Sequence, residues 1–220
     1  MSGRENNLVQ LMLVRHGETD WNKSRHIQGG NSDTPLNERG QEQAAGLALR
    51  LKNEEIRAIY SSPLRRALDT AQAIACHHQF DVQIDPALRE VNVGQLEGVA
   101  VRSIGKRLDE LLITPGQGER QAGGEEVWWS EVEQVGGESL AELQQRAWGA
   151  TQGIVSQHAD GMIVAVSHYF VILAIICAVL NLPLSQIGRL RLSVGSISTI
   201  VFDEQVARLI LFSDSCYPKA

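Results

Sequence analysis

Cysteine is scarce. The 220 residues hold three, Cys76, Cys177 and Cys216, at wide spacings. An odd number with no close pair gives neither a disulfide framework nor a zinc-binding spacing. That usage suits a reducing cytoplasm, the location expected here. Long apolar runs are missing too. Val9 to Val14 is too short to cross a membrane, and no signal-peptide pattern precedes it. Phe170 to Leu180 spans only eleven residues and reads as a buried helix. Positive charge is not in excess: 20 Lys and Arg stand against 26 Asp and Glu, a formal net charge of -6. A nucleic-acid binder would carry a basic surface. Neither nucleic acid nor a membrane is therefore an expected partner.

Several catalytic signatures are also absent. There is no GxxxxGK[ST] phosphate loop, and Gly116-x-Gly118 lacks the third glycine of a dinucleotide loop. No cysteine has an arginine six residues on, as a cysteine-based phosphatase needs. No GxSxG elbow occurs. Internal repeats and low-complexity segments are lacking. What remains is an ordinary globular balance, 43% hydrophobic and 21% charged, sufficient for one domain over residues 1–220.

Apolar strands alternate with amphipathic helices. Val9 to Val14, Ala58 to Tyr60, Asp81 to Ile84 and Met162 to Val166 read as strands. Helices are expected over about Asn37 to Lys52, Ser139 to His158 and Tyr169 to Leu180. Ser62-Pro63 reads as the N-cap and first residue of another helix, running to about His78. Val101 to about Leu112 also reads as helical. Leu190 to Phe202 and Ala207 to Phe212 read as a final antiparallel pair. The expected fold is α/β, a mostly parallel central sheet with helices on both faces. The β-branched stretch Ser193 to Phe202 is a candidate edge for pairing across a homodimer axis.

The most informative stretch is Leu13-Val14-Arg15-His16-Gly17-Glu18-Thr19-Asp20-Trp21-Asn22. Its apolar strand stops at a cation, an imidazole and a glycine, where ligands bind in open α/β sheets. A guanidinium can grip a phosphoryl group with two parallel hydrogen bonds. A neutral imidazole can attack phosphorus. The strand at Ala58 leads into Arg66, and that at Met162 ends at His168. Three parallel strands thus bring basic groups to one sheet edge, and Glu90 lies in the loop after the Asp81 strand. Cations beside His16 would lower its pKa and keep it neutral. They would also stabilise charge on a transferring phosphoryl group. A protonated Glu90 could donate to the leaving oxygen and then take a proton from water. His26 and His158 read as surface side chains.

Arg15-His16-Gly17-Glu18-Thr19 with Asn22 resembles the signature of the histidine phosphatase superfamily, the phosphoglycerate mutase-like proteins. Ser61-Ser62-Pro63-Leu64-Arg65-Arg66-Ala67 is similar to its second basic motif, Leu88-Arg89-Glu90 to its acid/base segment, and Ser167-His168 to its second histidine. Gly137-Glu138-Ser139 matches a helix start of the family, and the match runs from about residue 10 to 200. The resemblance implies a phosphoglycerate mutase-like fold, with His16 as phosphorylated nucleophile and Glu90 as proton donor. It implies a phosphate pocket of Arg15, Asn22, Arg66 and His168, with Arg65 at a variable position. No metal and no cofactor are implied. The family usually has glycine after the second histidine, where this chain has Tyr169.

Within the resemblance, the cofactor-dependent mutases carry Arg and Tyr soon after the acid/base glutamate. Here Val91-Asn92-Val93-Gly94 follows, then Glu97-Gly98, as in the phosphatase branch. The expected activity is hydrolysis of a small phosphomonoester, independent of metal. A cofactor-dependent mutase is one alternative, and a non-catalytic phosphoester binder another. Substrates implied include phosphoglycerates, phosphoserine, sugar phosphates and α-ribazole phosphate. A lid or insertion is expected at about residues 99–137. Its stretch 114–137 holds five glutamates and one arginine, net -4, together with Trp128 and Trp129. These suit a cover that repels extra anionic groups and stacks on a flat organic body, or else tryptophans packed in a satellite core.

Overall fold

The computed structural model describes residues 8–104, 132–203 and 206–215. Six strands form one sheet: β1 (Val9–Arg15), β2 (Ile56–Ser61), β3 (Val82–Ile84), β4 (Gly161–Ser167), β5 (Ile197–Phe202) and β6 (Ala207–Asp214). Their spatial order is β3-β2-β4-β1-β5-β6. The first four run parallel, while β5 is antiparallel to β1 and to β6. β1 therefore lies inside the sheet. It is bonded to β4 on one side, with Arg15 opposite Ser167, and to β5 on the other.

Both faces of the inner strands are covered, so they read as unbroken apolar runs. Along β1 and β4, Leu11, Leu13, Ile163 and Ala165 enter one core, and Val14, Val164 and Val166 the other. The second core is closed by α2 (Glu38–Leu51) and α3 (Arg65–Ala75) through Leu47, Leu51, Ala71 and Ile74. A short α1 (Asp20–Ser24) precedes them. The first core is closed by α4 (Leu140–Ser156) and α5 (Tyr169–Val179). Every side chain from Val171 to Cys177 is buried, so α5 is apolar all round, like a central helix rather than a surface one. Ser139 caps α4 reciprocally with Glu142.

Four expectations are corrected. Ser62 does not cap α3. Its N–H is still held by Val166 O at 3.0 Å, so the chain stays extended and the helix starts after Leu64. The helix also stops at Ala75, short of His78. The strand expected from Leu190 begins only at Ile197. It is not an edge: β1 and β6 occupy both its sides, which leaves no ladder free for pairing across a dimer axis there. Of the helical stretch expected from Val101, the described part is a 3-10 turn, Val101–Ser103, followed by Ile104 in an α-helix; the rest lies outside the described residues. Trp128, Trp129 and most of the expected lid lie outside the described residues.

Candidate active site

The carboxyl end of β1 delivers Arg15 and His16 between the two neighbouring strands. His16 N–H donates to Ser167 O at 3.1 Å, and its carbonyl accepts from Gly195 N–H at 3.0 Å. Gly17 follows because nothing larger fits: a Cβ there would stand 2.4 Å from Gly40 O. The His16 side chain is buried, 3% exposed. Its Nδ1 lies 2.7 Å from Gly17 O. A carbonyl only accepts, so Nδ1 carries the proton and Nε2 keeps its lone pair. Burial, then Arg66, then Arg15 hold the His16 pKa well below the usual histidine range.

The His168 ring stands with its centroid 5.1 Å from that of His16. Its Nε2 is 2.7 Å from Ser62 Oγ. That hydroxyl also accepts from Leu64 N–H at 3.3 Å. The ring's Nδ1 is buried and has no partner; it carries the ring proton in the tautomer whose Nε2 accepts from Ser62. Burial, Arg66 and His16 keep this ring neutral as well.

Arg66 is fully buried in the first turn of α3. It donates to Ser32 O at 2.8 Å and Gly29 O at 3.0 Å, and its Nε is left without a partner. Arg15 donates to Leu192 O at 2.5 Å, and its Nε is likewise buried and unpartnered. Its guanidinium lies over the Tyr169 ring, 4.8 Å from the centroid. Burial lowers both arginine pKa values to about 10, which leaves them cationic at neutral pH. Asn22, whose Oδ1 accepts from Thr19 N–H at 3.1 Å, faces the same cavity. Arg65 is exposed and pairs with Asp69 instead.

Glu90 sits across the cavity, 4% exposed. Its Oε1 accepts from Val91 N–H at 2.9 Å and its Oε2 from Phe170 N–H at 3.4 Å. Burial pushes its pKa up, against the pull of those amides and of Arg66 and Arg15. Its loop is held from behind by Arg146, which bonds both carboxylate oxygens of Glu138 and the carbonyls of Ala87 and Glu90.

The six residues His16, His168, Arg15, Arg66, Asn22 and Glu90 thus converge. Two positions escaped sequence reasoning. Ser62, expected as a helix cap, instead hydrogen-bonds the His168 ring; the signal was its place beside the second basic motif. Arg146 carries no motif at all. His26 is also not a plain surface side chain, since it lines the cavity. Among the described residues, no three His, Cys, Asp or Glu side chains gather to hold a metal. None of their helices is long and apolar enough to cross a membrane.

This arrangement can bind a phosphoryl group against an unprotonated imidazole nitrogen. Comparison with known families agrees with that chemistry. The sequence profile of the histidine phosphatase superfamily (branch 1) matches residues 11–215. The chain belongs to this superfamily. A probable phosphoglycerate mutase of Escherichia fergusonii is 36% identical over 197 residues, 90% of this chain and 86% of its own. Phosphoserine phosphatase 1 of Hydrogenobacter thermophilus is 32% identical over 96% of this chain and 94% of its own. A mycobacterial glucosyl-3-phosphoglycerate phosphatase superposes with a TM-score of 0.77 at 28% identity, over 93% of this chain and 98% of that one. This member of the superfamily therefore has relatives named for hydrolysis and for mutase chemistry alike.

Proposed function

We propose that this chain is a phosphomonoester hydrolase that works through a phosphohistidine on His16. The observation that carries the reading is the set of buried, unpartnered nitrogens beside the His16 ring: Arg15 Nε and Arg66 Nε, which donate, and His168 Nδ1, which donates in the tautomer that leaves Nε2 to accept from Ser62. Buried polar groups in folded proteins nearly always have partners. A phosphoryl group supplies acceptors for all three.

The His16 Nε2 lone pair attacks phosphorus, and the bond to the ester oxygen breaks with its electron pair on that oxygen. The Glu90 carboxyl proton passes to the departing oxygen. The resulting carboxylate takes a proton from water, whose oxygen bonds to phosphorus. The N–P bond breaks and its pair returns to Nε2. Arg15 and Arg66 stabilise the phosphoryl oxygens throughout. The reading needs no metal, so activity persists in EDTA.

Hydrolysis is favoured over mutase chemistry by Val91 and Val93. Both line the cavity just after Glu90 and offer no charge to a second anionic group. The relative named as a probable mutase supports the second reading, phosphoryl transfer to a phosphoglycerate acceptor. One experiment separates them. Denaturant-quenched enzyme should carry an acid-labile, base-stable phosphoryl group, absent in His16→Ala, and water should be its main acceptor. Transfer chiefly to 3-phosphoglycerate would establish the mutase. Vanadate binding with no turnover would mark a non-catalytic phosphoester binder.

A further inference from the structure

The cavity in front of His16 is far larger than a phosphate needs. It measures about 690 Å³, within the size range of sites for drug-sized ligands. Only its inner end is occupied by Arg15, His16, Asn22 and Glu90. Beyond them the described wall turns apolar: Ile27, Val93, Val101, Phe170, Leu184 and Ile187. These side chains come from five separate segments of the chain, yet all face one hollow. Val101 is 40% exposed.

Charge beyond the phosphate end is sparse and of both signs. Among the described lining residues it amounts to Glu18, Arg25 and Arg191. Glu18 accepts from the Asn37 amide at 2.9 Å, and Arg191 donates to Gly188 O at 2.6 Å. Arg25 and Arg191 are exposed at the rim, where water competes for any anion. No buried cation beyond the phosphate end stands ready for a carboxylate or a second phosphate in the described wall. An anionic body placed there would lose its hydration without a partner.

We infer that the outer chamber is a binding site for an uncharged, apolar organic body, so that the preferred substrate is the phosphomonoester of a bulky hydrophobic alcohol. This rests on the hydrolase reading above and narrows it. Tyr169 and Phe170 pack edge to face, ring centroids 4.9 Å apart, where the chamber meets the phosphate end. Phe170 also donates its N–H to Glu90. The proton donor and the apolar wall therefore share one backbone segment. The ester oxygen that receives the proton emerges directly against that wall.

Straight-chain alkyl phosphates test this without changing leaving-group chemistry. From ethyl to hexyl phosphate kcat/KM should climb at least about tenfold, since each buried methylene is worth up to about fourfold. Hexyl phosphate should also exceed phosphoserine and 3-phosphoglycerate. Leu184→Asp and Val101→Asp, each checked by thermal melting, should flatten the series while vanadate inhibition stays at wild-type strength. The inference is overturned if the wild-type series is flat, or if phosphoserine or 3-phosphoglycerate is the better substrate while His16 is still phosphorylated. If no ester phosphorylates His16, the hydrolase reading itself falls, and a flat series cannot be confused with that result.

Discussion

The guanidinium of Arg15 rests on the ring of Tyr169, with its central carbon 4.8 Å from the ring centroid. The Tyr169 hydroxyl donates to Leu190 O at 3.2 Å, and Arg15 donates to Leu192 O at 2.5 Å. Ring and guanidinium are thus fastened to the same short segment. Tyr169 follows His168, and its ring serves as a floor for the Arg15 guanidinium.

Removing that floor should loosen Arg15 more than it alters the chemistry. A cation–π contact is worth about 0.5–2 kcal/mol, a factor of roughly 2–30 in affinity. Tyr169→Gly should raise KM and weaken vanadate inhibition within that range, with a smaller change in kcat. Tyr169→Phe keeps the ring and should recover most of the loss. Steady-state kinetics on one alkyl phosphate, with vanadate as competitor, measures both. Equal KM values for the glycine variant and wild type would dismiss the role.

The two titrating groups of the mechanism set a pH window. His16 must be neutral, which holds above its depressed pKa. Glu90 must be protonated, which holds below its raised pKa. Activity should therefore fall on the alkaline side as Glu90 ionises, and on the acid side as His16 protonates, with an optimum between the two pKa values. In Glu90→Gln the alkaline limb should vanish. Alkyl phosphates should lose far more rate than para-nitrophenyl phosphate, whose leaving group needs little protonation. A pH profile of kcat/KM for both proteins checks the sign.

Arg146 should matter at a distance from phosphorus. Its bidentate pair with Glu138 is partly buried, with side chains 26% and 16% exposed. Arg146→Met would strand Glu138 and release the carbonyls of Ala87 and Glu90. A cost of about 2 kcal/mol is expected for losing charged hydrogen bonds of this kind. Because the Glu90 loop is freed, kcat should drop more than KM rises. Urea unfolding gives the first quantity and kinetics the second.

Much of this layout was legible in the sequence, for identifiable reasons. β1 and β4 are buried on both faces, so they stand out as apolar runs, and the polar residues that end them stand out by contrast. α5 is apolar on every side and could be nothing but internal. Arg66 and Arg65 were harder to separate. Both are first-turn arginines, and only the family resemblance favoured Arg66; the structure buries it fully and leaves Arg65 exposed. The bond between Ser62 and His168 joins residues 106 positions apart. No local pattern announces such a pairing. The apolar wall around Leu184 and Ile187 was invisible for the same reason, since its meaning depends on what stands opposite.

The place of β1 in the sheet has a consequence for the order of events during folding. The strand that leads into His16 is made before the other five, yet both its neighbours, β4 and β5, belong to the last third of the chain. Arg15 reaches its carbonyl partner across 177 positions. The earliest of the six strands to be synthesised is thus among the last to be paired, and contacts of such long range form slowly. Until they do, an apolar strand waits with both edges open, a hazard for association with other chains. The cluster around His16 is complete only once β4 and β5 have paired with β1. A chain that ends before β5 should carry every residue of the phosphate pocket and still be inert.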